Sequence, residues 1–239
     1  RPAGGRTGAG DGGGDGGDGA RGREDGPIHY PTVDGEAALL WMVNQAALEL
    51  HAPMWRAGSR HRPLRPDLLV FDLDPGEPAS LGQCCEVALA VRDALAGDGM
   101  EALAKTSGSK GLQVYARRPG RGGPADTVGY ARDLARRLEG DRPGAVVANM
   151  RKDLRRNRVL VDWSQNQPTK TTVAPYSLRI REAPWVSTPV TWDEVTEVAG
   201  GADTHALRFQ PGEVLERVAD GGDLFAPLLG ATPRPGVRR

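Results

Sequence analysis

The chain has 239 residues, 38% hydrophobic and 26% charged, with 31 basic and 31 acidic side chains and a formal net charge of +0. That length suits one domain with a substantial core, or a domain with a small appendage. No apolar run approaches the roughly 20 residues of a membrane span and no secretory leader is visible, which sets membrane-spanning and exported classes aside. The neutral total does not exclude a polyanionic partner, because charge is segregated. Acids crowd the leader at Asp11, Asp15, Asp18, Glu24 and Asp25, whereas bases cluster at Arg56–Arg62 and Arg151–Arg158. Cys84 and Cys85 are adjacent in a helical pattern and so point apart, which argues against a disulfide and for a reducing, cytoplasmic setting.

Residues 1–26 are Gly, Asp and Arg with almost nothing apolar. They cannot bury enough surface to offset ordering entropy and are expected to be disordered, with the folded domain occupying 27–239. Leu39, Leu40, Val43, Ala46, Ala47 and Leu50 recur at helical spacing, predicting a helix over Glu36–Leu50 that Pro53 ends. Leu68–Asp74 reads as a buried strand stopped by Pro75-Gly76. Ser80 is placed to cap a helix running to about Leu95, with Leu81, Cys84, Val87, Ala88, Val91 and Leu95 on one stripe. Glu101–Thr106 and Leu112–Arg117 read as strands joined by the glycine loop Ser107–Gly111. An amphipathic helix is expected over 125–139, a short basic helix over Met150–Arg156, and a strand over Val159–Trp163. Thr171–Arg181 reads as extended, interrupted by Pro175, and short helical patterns follow Trp192. Alternating strands and helices without an internal repeat argue an α/β or α+β layer structure.

Three constellations carry chemistry. Asp72 and Asp74 are two residues apart on one strand and therefore project from the same face. Two carboxylates held so close repel unless a cation lies between them, and hard oxygen ligands select Mg²⁺ or Mn²⁺. Asp162 ends a second apolar strand. Three such carboxylates could hold two cations about 3.5–4 Å apart, the arrangement of in-line phosphoryl transfer. The glycine loop Thr106-Ser107-Gly108-Ser109-Lys110-Gly111 can turn backbone N–H groups toward one point as a phosphate nest, with a hydroxyl and a cation beside it. It is not a Walker loop, since no helix follows. Gln165, Asn166, Lys170, Tyr176, Arg179 and Arg181 supply planar and cationic groups suited to phosphate and base recognition. Each feature alone has a plainer reading: a solvated strand-end turn, a Gly-Ser hairpin, a salt-bridged arginine.

Taken together, Trp41–His51, Leu69–Gly76, Thr106–Leu112, Val161–Asn166, Lys170–Arg179 and Ser187–Glu194 resemble the polymerase domain of bacterial ligase D, in the archaeo-eukaryotic primase superfamily. The resemblance runs from about Ile28 to the C-terminus. It implies a primase-polymerase core with an RRM-like antiparallel or mixed sheet flanked by helices. It implies that Asp72, Asp74 and Asp162 bind two catalytic divalent ions, Mn²⁺ or Mg²⁺. It also implies that His51, Ser107, Gly108, Lys110, Gly111, Gln113, Gln165 and Arg179 form the nucleotide site. The activity implied is templated nucleotide addition at DNA ends or gaps, with ribonucleotides favoured. Implied partners are DNA ends or gapped duplex, nucleoside triphosphates, the Ku protein and an ATP-dependent DNA ligase, with no membrane and a place at the bacterial nucleoid.

Two departures stand out. The family's glycine loop is usually followed by Gly-Leu-His, with the histidine on the triphosphate, whereas Gly111-Leu112 is followed here by Gln113. Glutamine cannot become cationic, and charge-assisted hydrogen bonds are roughly twice as strong as neutral ones, so weaker nucleotide binding is expected. The family's lysine- and aromatic-bearing region upstream of Ile28 is replaced by the Gly/Asp leader, which puts 5′-phosphate recognition in question and is expected to expose apolar surface on the Glu36–Leu50 helix. A second reading follows: a catalytically weakened DNA-end-binding or scaffolding paralogue. A haloacid-dehalogenase-type phosphatase shares Val-Phe-Asp-Leu-Asp, but Pro75-Gly76 follows here and that family's later acidic motif is missing.

Overall fold

The computed structural model describes residues 30–118 and 123–229. The elements belong to one unit of the chain, Thr32–Arg239. The disorder expected for 1–26 lies outside the described residues. The first elements are α1 (Glu36–Asn44), β1 (His51–Ala52), β2 (Leu68–Pro75) and α2 (Leu81–Gly97). They are followed by β3 (Ala102–Thr106), β4 (Leu112–Arg117), α3 (Pro124–Asp141), β5 (Val146–Val147) and β6 (Val159–Asp162). The last are β7 (Thr172–Val173), β8 (Leu178–Ile180), β9 (Pro184–Val186), β10 (Pro189–Val190), α4 (Trp192–Ala199) and α5 (Pro211–Gly221).

The central sheet has six strands in the order β10-β3-β4-β2-β6-β5. It is antiparallel except for the β5–β6 pair, as expected of a mixed α/β architecture. β2 opens on an unbroken apolar run, Leu68–Phe71, because both its faces are covered there. Leu69, Phe71 and Leu73 join the main core with α2 and α3, while Val70 joins Met54, Tyr115, Phe225 and Leu228 on the opposite face. That second cluster covers only part of its face. Where it stops, the even-numbered positions of β2 become Asp72 and Asp74. Neighbouring strands alternate the same way. Ala102, Ala104, Leu112, Val114, Val159 and Val161 enter the main core, leaving Lys105, Gln113 and Asp162 for the other side.

Ser80 caps α2 as expected, its Oγ accepting from Gln83 N at 3.4 Å while Gln83 Oε1 accepts from Ser80 N at 2.9 Å. The predicted stripe of α2 is buried at Cys84, Val87, Ala88, Val91 and Leu95, and both cysteines are free thiols. Two local expectations are corrected. α1 ends at Asn44 rather than Leu50, because Ala46 adopts a left-handed φ of 59° that a continuing helix cannot contain. None of its residues is buried, so the apolar surface expected there is exposed. The basic stretch 150–156 holds only a single 3₁₀ turn, Lys152–Leu154. The stretch Thr171–Arg181 is extended and broken next to Pro175 as expected: it forms two short strands, β7 and β8, parted where Tyr176 takes a φ of 64°.

Candidate active site

Register brings the acids together. In the antiparallel ladder Lys105 opposes Gln113, Gln113 opposes Asp72, and Asp72 opposes Asp162. Directly opposed residues share a face with Cβ atoms roughly 4.5–5.5 Å apart. One row across β3, β4, β2 and β6 therefore reads Lys-Gln-Asp-Asp, and Asp74 stands on the same face two residues along β2. Asp162 is buried; its Oδ1 accepts from Ser164 N at 2.8 Å and its Oδ2 from Gln165 Nε2 at 2.9 Å. Gln113 Nε2 donates to Asp72 Oδ1 at 3.1 Å. The turn that delivers Gln165 is held by Asn166, whose amide accepts from Val70 N and donates to Val70 O, extending the β6 ladder with a side chain after the strand has ended.

Burial, then the negative charge of Asp74, pushes Asp72 up to about 7; the Gln113 hydrogen bond opposes this and Asp162 adds to it. Asp74 is also raised, by burial first, with Arg155 and Arg179 countering and Asp162 reinforcing. An all-oxygen set whose members raise one another's proton affinity suits a hard divalent cation in donor chemistry. Among the described residues no three His, Cys, Asp or Glu side chains are gathered into a ready metal-holding group. The carboxylates thus form an open edge rather than a closed cage.

The glycine loop lies beside this edge. A Cβ on Gly111 would sit 2.1 Å from Leu73 O, so only glycine lets the loop approach β2 this closely. Gly108, at φ +68°, faces the Arg179 side chain, whose Cγ would lie 2.6 Å from an added Cβ. Ser107 Oγ accepts from Ser109 N at 3.2 Å and from Gly111 N at 3.1 Å. The N–H groups expected to form a phosphate nest therefore converge on the loop's own hydroxyl. Lys110 Nζ lies 3.3 Å from Glu77 Oε1, both side chains being exposed.

A cleft of about 320 Å³ gathers His51, Asp72, Asp74, Ser107, Lys110, Gln113, Gln165 and Arg179. Of the sequence-predicted residues, Asp162, Gly108 and Gly111 are not on its wall; Asp162 is bonded behind Gln165 and the two glycines shape the loop. His51 Nε2 is 3.3 Å from Arg179 Nη1. Glu49, which sequence reasoning missed, lies 3.6 Å from the same guanidinium and accepts from Ile180 N at 3.1 Å. Lys105, Tyr115 and Thr172 were missed as well. Lys105 is wholly buried, with Nζ 2.5 Å from Ser187 Oγ. Its one visible signal is a lysine inside a strand of small apolar residues. Part of each basic cluster is engaged nearby: Arg56 with Asp67, Arg151 with Asp153, and Arg155 with Met150 O. A larger hollow of about 510 Å³ beside α5 takes in Tyr176 but none of the predicted metal or nucleotide residues, and its Arg217 is paired with Glu194 at 2.7 Å.

A mixed sheet with a carboxylate row on its open face, a glycine loop and a facing arginine defines a polymerase-type α/β domain. The comparisons specify the family: residues 19–225 match the family described as LigD, primase-polymerase domain, and the chain belongs to it. It is 43% identical over 214 residues to the multifunctional non-homologous end joining protein LigD of Mycobacterium bovis, covering 87% of this chain and 27% of that protein. It is 31% identical over 214 residues to the corresponding protein of Pseudomonas aeruginosa, covering 87% and 24%. A solved structure of the polymerase domain from Mycobacterium tuberculosis ligase D in complex with DNA superposes with a TM-score of 0.80 at 42% identity, over 88% of this chain and 73% of that one. The chain thus spans about a quarter of the length of the curated relatives it matches. Among the described residues no helix is long and apolar enough to cross a membrane.

Proposed function

We propose that this chain performs templated nucleotidyl transfer at DNA ends or gaps in bacterial non-homologous end joining, with ribonucleotides favoured. The observation that carries it is the cross-strand pairing of Asp72 with Asp162, with Asp74 on the same face, in a cleft shared with the glycine loop and Arg179. On this reading Asp72, Asp74 and Asp162 hold two divalent ions, Mn²⁺ or Mg²⁺. The ions would supply charge neutralisation and lower the pKa of the attacking hydroxyl. Asp72 and Asp74 face the reacting centre, and Gln165 steadies Asp162 from the side. Ser107, Lys110, Arg179 and His51 contact the triphosphate, where Arg179's planar fork suits phosphate oxygens. The primer 3′-hydroxyl attacks the α-phosphate and pyrophosphate leaves, so no protein nucleophile is needed. The relatives' end-joining names support DNA ends as substrate, and with that reading go the proposed partners, Ku and an ATP-dependent ligase, and work at the cytoplasmic nucleoid.

The test is primer extension on a 5′-phosphorylated gapped duplex with Mn²⁺, comparing ribo- and deoxyribonucleotides, beside the Asp72→Ala/Asp74→Ala variant. Extension that falls at least about 1,000-fold in the double variant is expected for loss of metal-assisted charge stabilisation. Intact DNA binding without extension in the unaltered chain would instead establish the end-binding scaffold, the reading that the neutral Gln113 favours.

A further inference from the structure

Three buried polar side chains form a line that ends on Asp72. Thr172, Tyr115 and Gln113 are each almost wholly buried. Tyr115 Oη donates to Gln113 Oε1 at 3.2 Å, and Tyr115 Oη lies 2.8 Å from Thr172 Oγ1. Gln113 Nε2 donates onward to Asp72 Oδ1 at 3.1 Å. A phenol has one proton. With it spent on Gln113, the proton between the two hydroxyls must come from Thr172. Every donor in the line therefore points toward the carboxylate, and hydrogen bonds aligned this way reinforce one another. The line also fixes the glutamine amide, since the flipped orientation would set Oε1 against a carboxylate oxygen.

The phenol cannot drift. Its ring meets Phe225 edge-on at 5.5 Å between centroids, and Lys105 Nζ stands 5.7 Å from the ring centre. Thr172 is held by its cross-strand partner Ala52 in the β1–β7 ribbon, next to the His51–Val173 pair. The line thus joins the ribbon that carries His51 to the acid at the centre of the sheet.

We infer that Tyr115 and Thr172 are positioning residues which, through Gln113, hold the Asp72 carboxylate in the orientation that receives a divalent cation. The inference rests on the metal reading of the proposed function. It assigns Gln113 a role that a triphosphate contact does not require: its carbonyl is committed to Tyr115 and one amide hydrogen to Asp72.

The test is Mn²⁺ binding without nucleotide or DNA, read as loss of the free-ion electron paramagnetic resonance signal. It is run on the unaltered chain, Tyr115→Phe, Gln113→Leu, the double variant and Thr172→Val. Tyr115→Phe is expected to weaken Mn²⁺ binding about fivefold, the worth of one net hydrogen bond, and Thr172→Val about twofold in the same direction. In the Gln113→Leu background, Tyr115→Phe should have no further effect, because its route to Asp72 is already cut. Unchanged Mn²⁺ affinity in Tyr115→Phe, or effects of Tyr115→Phe and Gln113→Leu that simply add, would overturn the positioning role while leaving the metal site standing. An unaltered chain that binds no Mn²⁺ would overturn the metal reading itself.

Discussion

β2 and α1 are both apolar runs, and the structure treats them oppositely. Leu69, Val70, Phe71 and Leu73 of β2 are 0% exposed, whereas Leu40 and Trp41 of α1 are 62% and 57% exposed. β2 is sandwiched, with α2 and α3 on one face and the Met54–Phe225–Leu228 cluster on the other. α1 has Leu, Trp, Met and Val around its circumference, a pattern expected of a buried helix, yet none of its residues is buried. Hydrophobic sequence thus specifies the element, while burial depends on which distant segments arrive to cover it. The largest test of this contrast is Phe71→Ala. It should cost about 3–5 kcal/mol by chemical denaturation, the usual range for removing a packed aromatic from a core. A loss below about 1 kcal/mol would mean that β2 is no better packed than α1.

The polar side of the same sheet offers a second contrast, because Lys105 is as deeply buried as the leucines. Burial pushes it down from 10.5 to about 7, against the pull of Asp72 and with help from Arg179. Between those two values the unfolded chain holds a proton that the folded chain does not, so stability rises with pH across that window. The slope is at most about 1.4 kcal/mol per pH unit from this one group. Lys105→Met should flatten it, measured by denaturation between pH 7.5 and 9, before ionisation of the unfolded chain's Cys85 thiol, which burial pushes up to about 12 in the fold, starts to favour unfolding and opposes the slope. An unchanged slope in Lys105→Met would show that the folded lysine keeps its proton and that Asp72 and Ser187 compensate its burial.

These contrasts also mark what was legible in the sequence. The β2 and β6 strands, the Ser80 cap and the glycine loop announced themselves because each signal is local: an apolar run, a hydroxyl before a helical stripe, glycines between strands. Asp72, Asp74 and the loop residues could be grouped because the resemblance joined segments far apart in sequence. What stayed hidden depends on register. Nothing in Ala102–Thr106 or Leu112–Arg117 reveals that Lys105 will oppose Gln113 and Gln113 will oppose Asp72, so Tyr115 and Thr172 went unnoticed as polar partners. The end of α1 was missed for a different reason: the apolar spacing continues to Leu50, but Ala46 turns left-handed.

Gln113 separates the two halves of the cleft, bonded to the carboxylate edge on one side and lining the nucleotide space on the other. Gln113→His trades a neutral donor for one that can carry charge. It should tighten triphosphate affinity about fivefold, the difference between a charge-assisted and a neutral hydrogen bond. Nucleotide titration by calorimetry decides it, and unchanged affinity would show that this position serves the carboxylate edge alone.

The smallest expected effect returns to α1 and bears most directly on the contrast with β2. Leu40→Ser and Trp41→Ser remove apolar side chains that are more than half exposed. With little burial to lose, each should change stability by no more than about 0.5 kcal/mol, helix propensity being nearly level among these residues. Phe71→Ala in the same assay supplies the scale, since both changes delete a large apolar group and differ chiefly in what surrounds it. If Trp41→Ser costs several kcal/mol, the ring is covered in solution, and the difference between α1 and β2 lies in what is bound rather than in how the chain folds.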